Sequence, residues 1–270
     1  FFYGRYDEPK NIGKSLEDLN FFHKLYYHRL GTPQSQDALV YEDKTHKEWQ
    51  FVPAVTDDGK YLIVTVSKGT DHKFRILYKA LDKPGSKFVE LINNFDAEYT
   101  FIDNDGPVFY FKTDLKSPKA KVIAIDVRKP SERRDLIAES ADTLQHVALV
   151  NNQFVTSYLH DATTQVKVFD RTGKLVKDIA LPGLGTSMGF GGRRNYKETF
   201  HAFTSYNTPP IIYRLDLTTF ESKVWKQPQL KFNPQDFETK QVFYPSKDGT
   251  KIPMFLTSRK GLQQNGQNPT

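Results

Sequence analysis

A serine flanked by two glycines is the first candidate for chemistry in this chain. Residues 185–189 read G-T-S-M-G, with Ser187 at the centre, and match the G-x-S-x-G pattern of a nucleophilic serine. That pattern works on a strained turn between a strand and a helix, where backbone N–H groups stabilise an oxyanion. Here residues 190–195 (F-G-G-R-R-N) are typical of a loop, and a strand-like segment follows them. The local sequence therefore predicts that Ser187 lies on an ordinary β-strand.

The partners that a serine nucleophile needs are also out of order. Hydrolases with this pattern carry an acid and then a histidine after the serine. No aspartate lies between Ser187 and His201, Glu198 is the only acid in that interval, and no histidine follows His201. The order of these residues therefore favours a chance match to the motif, with no catalytic role for Ser187.

The chain also lacks the usual signatures of a metal or cofactor site. It has no cysteine, which excludes disulfides and thiolate ligands. Neither the H-x-H nor the H-E-x-x-H spacing of metal ligands occurs among its histidines, which stand at positions 23, 28, 46, 72, 146, 160 and 201. We therefore expect no metal and no cofactor. For the adjacent pair His160 and Asp161 we expect a hydrogen bond in a turn rather than a catalytic dyad.

The elements that would position these residues repeat along the chain. Asp58-Gly59 supplies a tight turn before the β-branched and aromatic residues 61–66. Gly106 follows Gly59 by 47 positions at the same place in the next copy, and Asn152 follows Gly106 by 46. A second series of strands ends at positions 80, 126, 170 and 216, which are 46, 44 and 46 apart. The last three of these positions are aspartates, and their recurrence indicates turn caps.

Repeats of roughly 40–50 residues with about four strands each predict a β-propeller. A β-sandwich with evenly spaced strands is the alternative, but two independent series with one period favour the propeller. We predict an all-β chain of about four and a half blades. The first blade is incomplete, with strands at 25–30 and 37–41, and fuller blades follow at 50–93, 99–140, 146–181 and 187–228.

Composition and charge narrow the class of partner. The chain is 38% hydrophobic and 26% charged, as in an ordinary globular protein. Its net charge is +6, but the basic residues are scattered among acids, so we expect no nucleic-acid partner. No apolar run approaches the ~18 residues of a membrane span, and the first residues are typical of the middle of a strand rather than of a signal peptide. Residues 6–20 predict an exposed, mobile loop. We expect a cytoplasmic location, with the periplasm as the alternative, and no membrane partner.

The character of the sequence changes after a linker at 227–236, which holds Pro228 and Pro234. Residues 240–256 predict two strands around a Lys-Asp-Gly-Thr hairpin and fall outside the period of the blades. We therefore expect β-propeller blades over residues 1–236 and the truncated start of a second domain over residues 237–270.

Several segments resemble the prolyl oligopeptidase family. They are residues 25–32, 94–99, 158–161, 203–206, 210–213 and, most specifically, the string V-F-Y-P-S-K-D-G-T-K-I-P-M-F at 242–255. The resemblance runs in order over nearly the whole chain. It implies a two-domain serine endopeptidase, in which a seven-bladed propeller covers the active site and admits short peptides that are cut after proline. It also implies that residues 237–270 open the α/β-hydrolase domain with its first β-hairpin.

The resemblance sets expectations for site residues and partners. In the family the catalytic serine, aspartate and histidine lie beyond the match to Thr270, so we expect a peptidase as the parent protein and an inactive segment. The implied partners are short proline-containing peptides and the catalytic domain of the same protein. A substrate-binding arginine of the family matches Ser67, so its role does not carry over, although Ser67 and Thr70 are expected to line the substrate cavity. The alternative is a stand-alone propeller that serves as a binding scaffold without enzymatic activity.

Overall fold

The computed structural model describes residues 1–7, 20–263 and 265–268. These residues form antiparallel β-structure, arranged as five sheets and one terminal hairpin. Two three-residue 3-10 helices, Gln34–Gln36 and Pro234–Asp236, are the helical elements of the described part of the chain. Among the described residues, no helix has the length and apolar character that crossing a membrane requires.

The strands follow one another in chain order within each sheet. Sheet I holds β1 (Phe2–Arg5), β2 (Lys24–Tyr27) and β3 (Ala38–Glu42), and sheet II holds β4 (Trp49–Val55), β5 (Tyr61–Lys68), β6 (Arg75–Ala80) and β7 (Val89–Ile92). Sheet III holds β8 (Tyr99–Asp105), β9 (Val108–Thr113), β10 (Lys121–Asp126) and β11 (Arg133–Ile137), and sheet IV holds β12 (Thr143–Val150), β13 (Gln153–His160), β14 (Thr163–Phe169) and β15 (Leu175–Ile179). Sheet V holds β16 (Thr186–Gly189), β17 (Glu198–Ser205), β18 (Thr208–Asp216) and β19 (Ser222–Lys226), and the terminal hairpin holds β20 (Phe237–Pro245) and β21 (Lys251–Arg259). Sheets II to V are thus four-stranded meanders, as predicted for the blades of a propeller.

Sheet I includes the strand that the first residues of the sequence indicated. Residues 2–5 form β1 and pair with β2, from Phe2 opposite Tyr27 to Arg5 opposite Lys24. The sequence indicated this strand but assigned only the strands at 25–30 and 37–41 to the first blade, because a long polar segment separates β1 from β2. The loop predicted at residues 6–20 lies largely at 8–19, outside the described residues.

The turn that opens each repeat has a left-handed backbone. Gly59 and Gly106 have φ angles of 71° and 55°, and Asn152 has a φ of 55°. Glycine tolerates this region without strain, and asparagine enters it more readily than most residues. Each of the three stands between the first and second strands of its sheet, so the repeat read from the sequence is confirmed.

The recurring aspartates close later turns, as predicted. Asp126 Oδ1 accepts a hydrogen bond from the backbone N–H of Arg128 at 3.0 Å. Asp170 Oδ1 accepts one from the N–H of Thr172 at 2.8 Å, and Asp216 Oδ1 accepts one from the N–H of Thr218 at 2.7 Å. These bonds satisfy backbone donors where the chain leaves the third strand of sheets III, IV and V.

The contacts divide the chain into two compact units, Phe1–Ala138 and Glu139–Thr270. In the first unit, β5 is buried on both faces. Leu62 and Val64 belong to a core cluster with Leu25 of sheet I, whereas Ile63 belongs to a cluster with Phe109 of sheet III. Successive side chains of a strand point to opposite faces, so sheet II is packed between its two neighbours. The second unit has its own core of aliphatic side chains, which includes Val150, Val155, Val166, Val168 and Leu215.

Replacing Gly59 tests the importance of the left-handed turn. A Cβ at Gly59 would meet nothing within 4 Å, so Gly59→Ala should destabilise the protein through the backbone alone, by about 1 kcal/mol. Gly183→Ala is the matched control, because Gly183 has equally open surroundings and its φ lies outside the left-handed region. Urea unfolding of both variants measures the difference; equal stabilities would contradict the role of the turn.

Candidate functional site

Ser187 lies on a strand and not on a nucleophile elbow. It belongs to β16, where it stands opposite Phe203 of β17, and it is 5% exposed. Close packing of the backbone explains why glycine stands at both ends of the motif. A Cβ at Gly185 would stand 2.3 Å from the carbonyl oxygen of Thr204, and Gly189 has a φ of 118° close to the backbone of Phe200. The prediction of an ordinary strand at this position is confirmed.

The structure nevertheless brings Ser187 and His201 together. Ser187 Oγ lies 2.7 Å from His201 Nδ1, and His201 Nε2 lies 3.1 Å from Ser222 Oγ. A catalytic histidine is normally oriented by a carboxylate, whereas here the second ring nitrogen meets a hydroxyl. Glu198, the one acid between Ser187 and His201, instead accepts a hydrogen bond from Arg214 Nε at 2.6 Å.

Aromatic rings enclose the imidazole of His201. Phe190 stacks on one face with ring centroids 4.7 Å apart, and Tyr213 stacks on the other at 5.3 Å. The histidine is 2% exposed, and this burial lowers its pKa to about 4. The ring is therefore neutral at pH 7 and shielded from an incoming peptide. His201 lies on β17, and its ring contacts residues of the other three strands of sheet V. This geometry is that of a structural joint.

Sequence reasoning missed the surroundings of His201. Ser222 and Tyr213 have no motif that marks them, and they reach His201 through the registers of β17, β18 and β19. The pair Ser187 and His201 is separated by 14 positions, and its contact depends on two strands pairing at Ser187 opposite Phe203. The contacts of His201 could have been predicted only if the pairing of residues between these strands had been known.

His160, the other histidine singled out from the sequence, contacts neighbouring carboxylates. His160 Nδ1 lies 2.8 Å from Asp142 Oδ1, while its Nε2 is 3.7 Å from Asp161 Oδ2. The short contact of the ring is therefore with Asp142, which precedes β12, and not with the adjacent Asp161 named from the sequence. The turn itself is closed by Thr163 Oγ1, which donates to the carbonyl oxygen of His160 at 2.8 Å. Across the described ranges, no cluster of three or more His, Cys, Asp or Glu side chains could hold a metal ion.

The two predicted substrate-binding residues stand at one end of sheet II. Ser67 is half-buried in β5 opposite Gln50, and Thr70 is exposed in the turn that follows. At the same end, the Arg75 guanidinium lies 4.7 Å from the centroid of Trp49 and pairs with Glu90 at 3.0 Å. The connection between the second and third strands thus carries polar side chains next to a rigid aromatic cluster.

Two clefts border the terminal hairpin. One of about 500 Å³ is lined by aromatic and neutral polar side chains, among them Tyr206, Phe232, Phe237 and Ser258. The other, of about 630 Å³, lies between Asp161 and the tip of the hairpin, near Phe243 and Lys251. Volumes in this range suit small ligands or short peptide segments.

These features define a class of protein and then a family. Four-stranded meanders, with the serine of the G-x-S-x-G segment buried in an ordinary strand of one of them, are the blades of a β-propeller. A family model described as the N-terminal β-propeller domain of prolyl oligopeptidase matches residues 1–228. The chain belongs to the prolyl oligopeptidase family, as part of its propeller domain.

Individual relatives agree with this assignment. The prolyl endopeptidases of Elizabethkingia miricola and Elizabethkingia meningoseptica are 38% and 39% identical to the chain over 272 residues, which cover 100% of this chain and 38% of each relative. The solved structure of apo prolyl oligopeptidase B from Galerina marginata aligns with a TM-score of 0.87 at 32% identity, covering 97% of this chain and 37% of that one. The chain therefore spans less than two fifths of the length of these relatives.

Replacing His201 tests its assignment as a neutral structural joint. Because its pKa falls from 6.5 to about 4 on folding, the unfolded chain binds a proton between these values and the folded chain does not. The contribution of the neutral His201 ring to the free energy of unfolding should therefore be fully present above pH 6.5. It should fall by about 3 kcal/mol as the pH drops to 4. His201→Phe keeps a ring between Phe190 and Tyr213 but removes this dependence, at the cost of unpaired hydroxyls at pH 7.

Urea unfolding at pH 7 and pH 4.5 measures the effect. His72→Gln is the control, because His72 lies on an exposed turn and its replacement should leave the pH dependence intact. The assignment is wrong if His201→Phe loses as much stability on acidification as the unmodified chain.

Proposed function

We propose that this chain is the substrate-filtering propeller portion of a serine endopeptidase that cleaves short peptides after proline, together with the start of its peptidase domain. The observation that carries the proposal is the family match over residues 1–228, followed by a hairpin outside that match. Relatives of this family include proteins named prolyl endopeptidase, and prolyl oligopeptidase B of Galerina marginata has been solved with peptide substrates of 25 and 35 residues.

The terminal hairpin supports a domain boundary near residue 237. A two-stranded hairpin is marginally stable by itself, and none of the nine residues in either strand is buried. One face carries Tyr244, Met254 and Leu256, which are 48%, 40% and 46% exposed. An apolar face of this kind is suited to burial by further sheet, and we propose that residues 237–270 open an α/β-hydrolase domain that supplies it.

The outer face of sheet V supports a larger propeller. On the side of the sheet opposite Ser187 and His201, Met188 and Trp225 are each 60% exposed, and Trp225 packs edge-on against Phe200. Large exposed side chains grouped on a sheet mark a surface that another sheet covers. We propose a further blade of the longer protein as that cover. A stand-alone scaffold would leave this face in water.

The proposed mechanism of the propeller is exclusion. Stacked sheets with cores packed on both faces form a rigid cap, and a rigid cap over a cavity admits a flexible peptide while rejecting a folded protein. The nucleophile, base and orienting acid belong to the peptidase domain, since Ser187 and His201 are enclosed in sheet V.

Ser67 and Thr70 are assigned to the path of the peptide. They stand where β5 ends and the connection to the third strand of sheet II begins. In sheets IV and V, the corresponding connections contain Asp161 and Asn207, which contact the terminal hairpin. If the hairpin begins the peptidase domain, this type of connection faces the cavity beneath it. The two hydroxyls would then donate hydrogen bonds to peptide carbonyl groups.

An activity assay tests whether the catalytic residues lie in the peptidase domain and not in the propeller. The chain alone should give no turnover of chromogenic peptides that carry proline before the scissile bond, and Ser187→Ala should change nothing. A full-length prolyl endopeptidase of Elizabethkingia is the positive control. Cleavage by the chain that disappears in Ser187→Ala would show that sheet V holds a working nucleophile and would sink the proposal.

A further inference from the structure

The connection between β5 and β6 has no buried side chain of its own. Residues 69–73 are all exposed, and they include Thr70. The N–H of Asp71 donates to the carbonyl oxygen of Lys68 at 3.1 Å, and the N–H of Lys73 donates to Asp71 Oδ1 at 3.1 Å. These bonds between near neighbours shape the connection but do not attach it to the rest of sheet II. Its position therefore depends on the residues at its two ends.

A group of stacked side chains holds the end at which β6 begins. Arg75, the first residue of β6, places its guanidinium carbon 4.7 Å from the ring centroid of Trp49. Trp49 is 9% exposed, and its Cα pairs with that of Lys68 at the other end of the connection. The imidazole of His46 stacks on the same indole at 3.8 Å, and the ring of Phe95 meets it edge-on at 5.5 Å. The Trp49 ring thus links Arg75 to the segments that lead into β4 and out of β7.

The position of the Arg75 guanidinium depends mainly on this stacking. Nη2 pairs with Glu90 Oε2 at 3.0 Å, but the Glu90 side chain is 55% exposed, and such ion pairs contribute little. Nε is buried and has no hydrogen-bond partner among the described residues. The Arg75 side chain is 13% exposed, and a cation–π contact is stronger when it is shielded from water. The stack therefore anchors the start of β6, next to Phe74, whose N–H donates to the carbonyl oxygen of Ala97 at 3.0 Å.

We propose that Arg75 is a positioning residue for the peptide path. Its stack on Trp49 holds the connection at 69–74 in the place where Ser67 and Thr70 meet the substrate. This inference rests on the proposed function, which assigns those two hydroxyls to the path. A peptide that meets an ordered connection does not have to order it, whereas a connection released from the stack loses conformational freedom at each binding event. Loss of the stack therefore weakens binding and leaves the chemical step unchanged.

Kinetics of the full-length enzyme that contains this chain test the proposal. Arg75→Met keeps a long apolar side chain but removes the charge that stacks on Trp49 and pairs with Glu90. KM for a chromogenic peptide with proline before the scissile bond should rise roughly two- to tenfold, while kcat stays within about twofold of its original value. Arg75→Lys keeps the charge but not the planar group that stacks, so its KM should lie between the two. An unchanged KM in Arg75→Met would overturn the proposal.

A double-mutant cycle shows whether Arg75 acts through Thr70. Thr70→Val removes the hydroxyl group and should raise KM in the unmodified enzyme, but by much less when Arg75→Met is already present. Equal effects in the two backgrounds would contradict the positioning role, because they would mean that the two residues act independently.

Lys79→Met is the matched control. Lys79 lies on the same strand as Arg75 but near its other end, where its ammonium stands 5.6 Å from the ring centroid of Phe88. Its replacement removes a cation from a ring in the same sheet and should leave KM unchanged. A rise in KM equal to that of Arg75→Met would show a general loosening of sheet II and would refute the proposal.

Hydrogen exchange of this chain tests the positioning without reference to activity. In Arg75→Met the amide of Phe74 should exchange roughly three- to tenfold faster, while the amides in the middle of β5 keep their protection. Unchanged exchange at Phe74, or loss of protection throughout β5, would refute the role of the stack. Failure of the proposed function would appear separately, as an unmodified full-length protein that cleaves no proline-containing peptide.

Discussion

Burial on both faces of the inner strands is the constraint from which the rest of the structure follows. Along β5, alternate residues enter two different cores, one shared with sheet I and one shared with sheet III. A strand built in this way needs a sheet on each side, because either face left in water would expose a row of large aliphatic side chains. A hydrogen bond between neighbouring sheets reinforces the stack, since Asn104 Nδ2 of β8 in sheet III donates at 3.0 Å to Oδ2 of Asp58, in the first turn of sheet II. A sheet of this kind is destabilised when one of its faces is left in water. The exposed Met188 and Trp225 of sheet V are therefore consistent with a further sheet that covers them.

The parts of the fold that depend on local chemistry could be predicted from the sequence. Gly59 and Gly106 mark left-handed turns, and Asp170 and Asp216 cap turns, because in each case one residue type satisfies one backbone requirement. The pairing of β1 with β2 could not be predicted in this way, since it spans a long intervening segment. The surroundings of His201 were equally hidden. They depend on which residues of β16, β17 and β18 stand opposite one another, and strand register is a property of the whole sheet.

The contact between Ser187 and His201 shows why a short distance does not define a catalytic pair. A serine nucleophile needs a basic imidazole, a carboxylate that orients it, and space for a carbonyl group beside an oxyanion hole. In sheet V the imidazole has a pKa of about 4, its second nitrogen meets Ser222, and aromatic rings occupy both of its faces. Each of these features suits a group that joins strands. The resemblance to G-x-S-x-G arises because Gly185 and Gly189 are required by backbone packing at the two ends of β16.

The contrast between His201 and Gln241 separates buried from exposed contacts. His201 joins the strands of sheet V through two hydroxyl hydrogen bonds and two stacked rings, and its own ring is only 2% exposed, so water cannot readily replace these contacts. Gln241 and Phe255 join sheets IV and V through one amide and one ring at the surface, where water replaces the lost hydrogen bond at little cost. Rigid sheets and a weakly held hairpin therefore coexist in one compact unit. The shape of the sheets therefore depends on buried contacts such as those of His201, because an exposed hydrogen bond that water can replace contributes little to it.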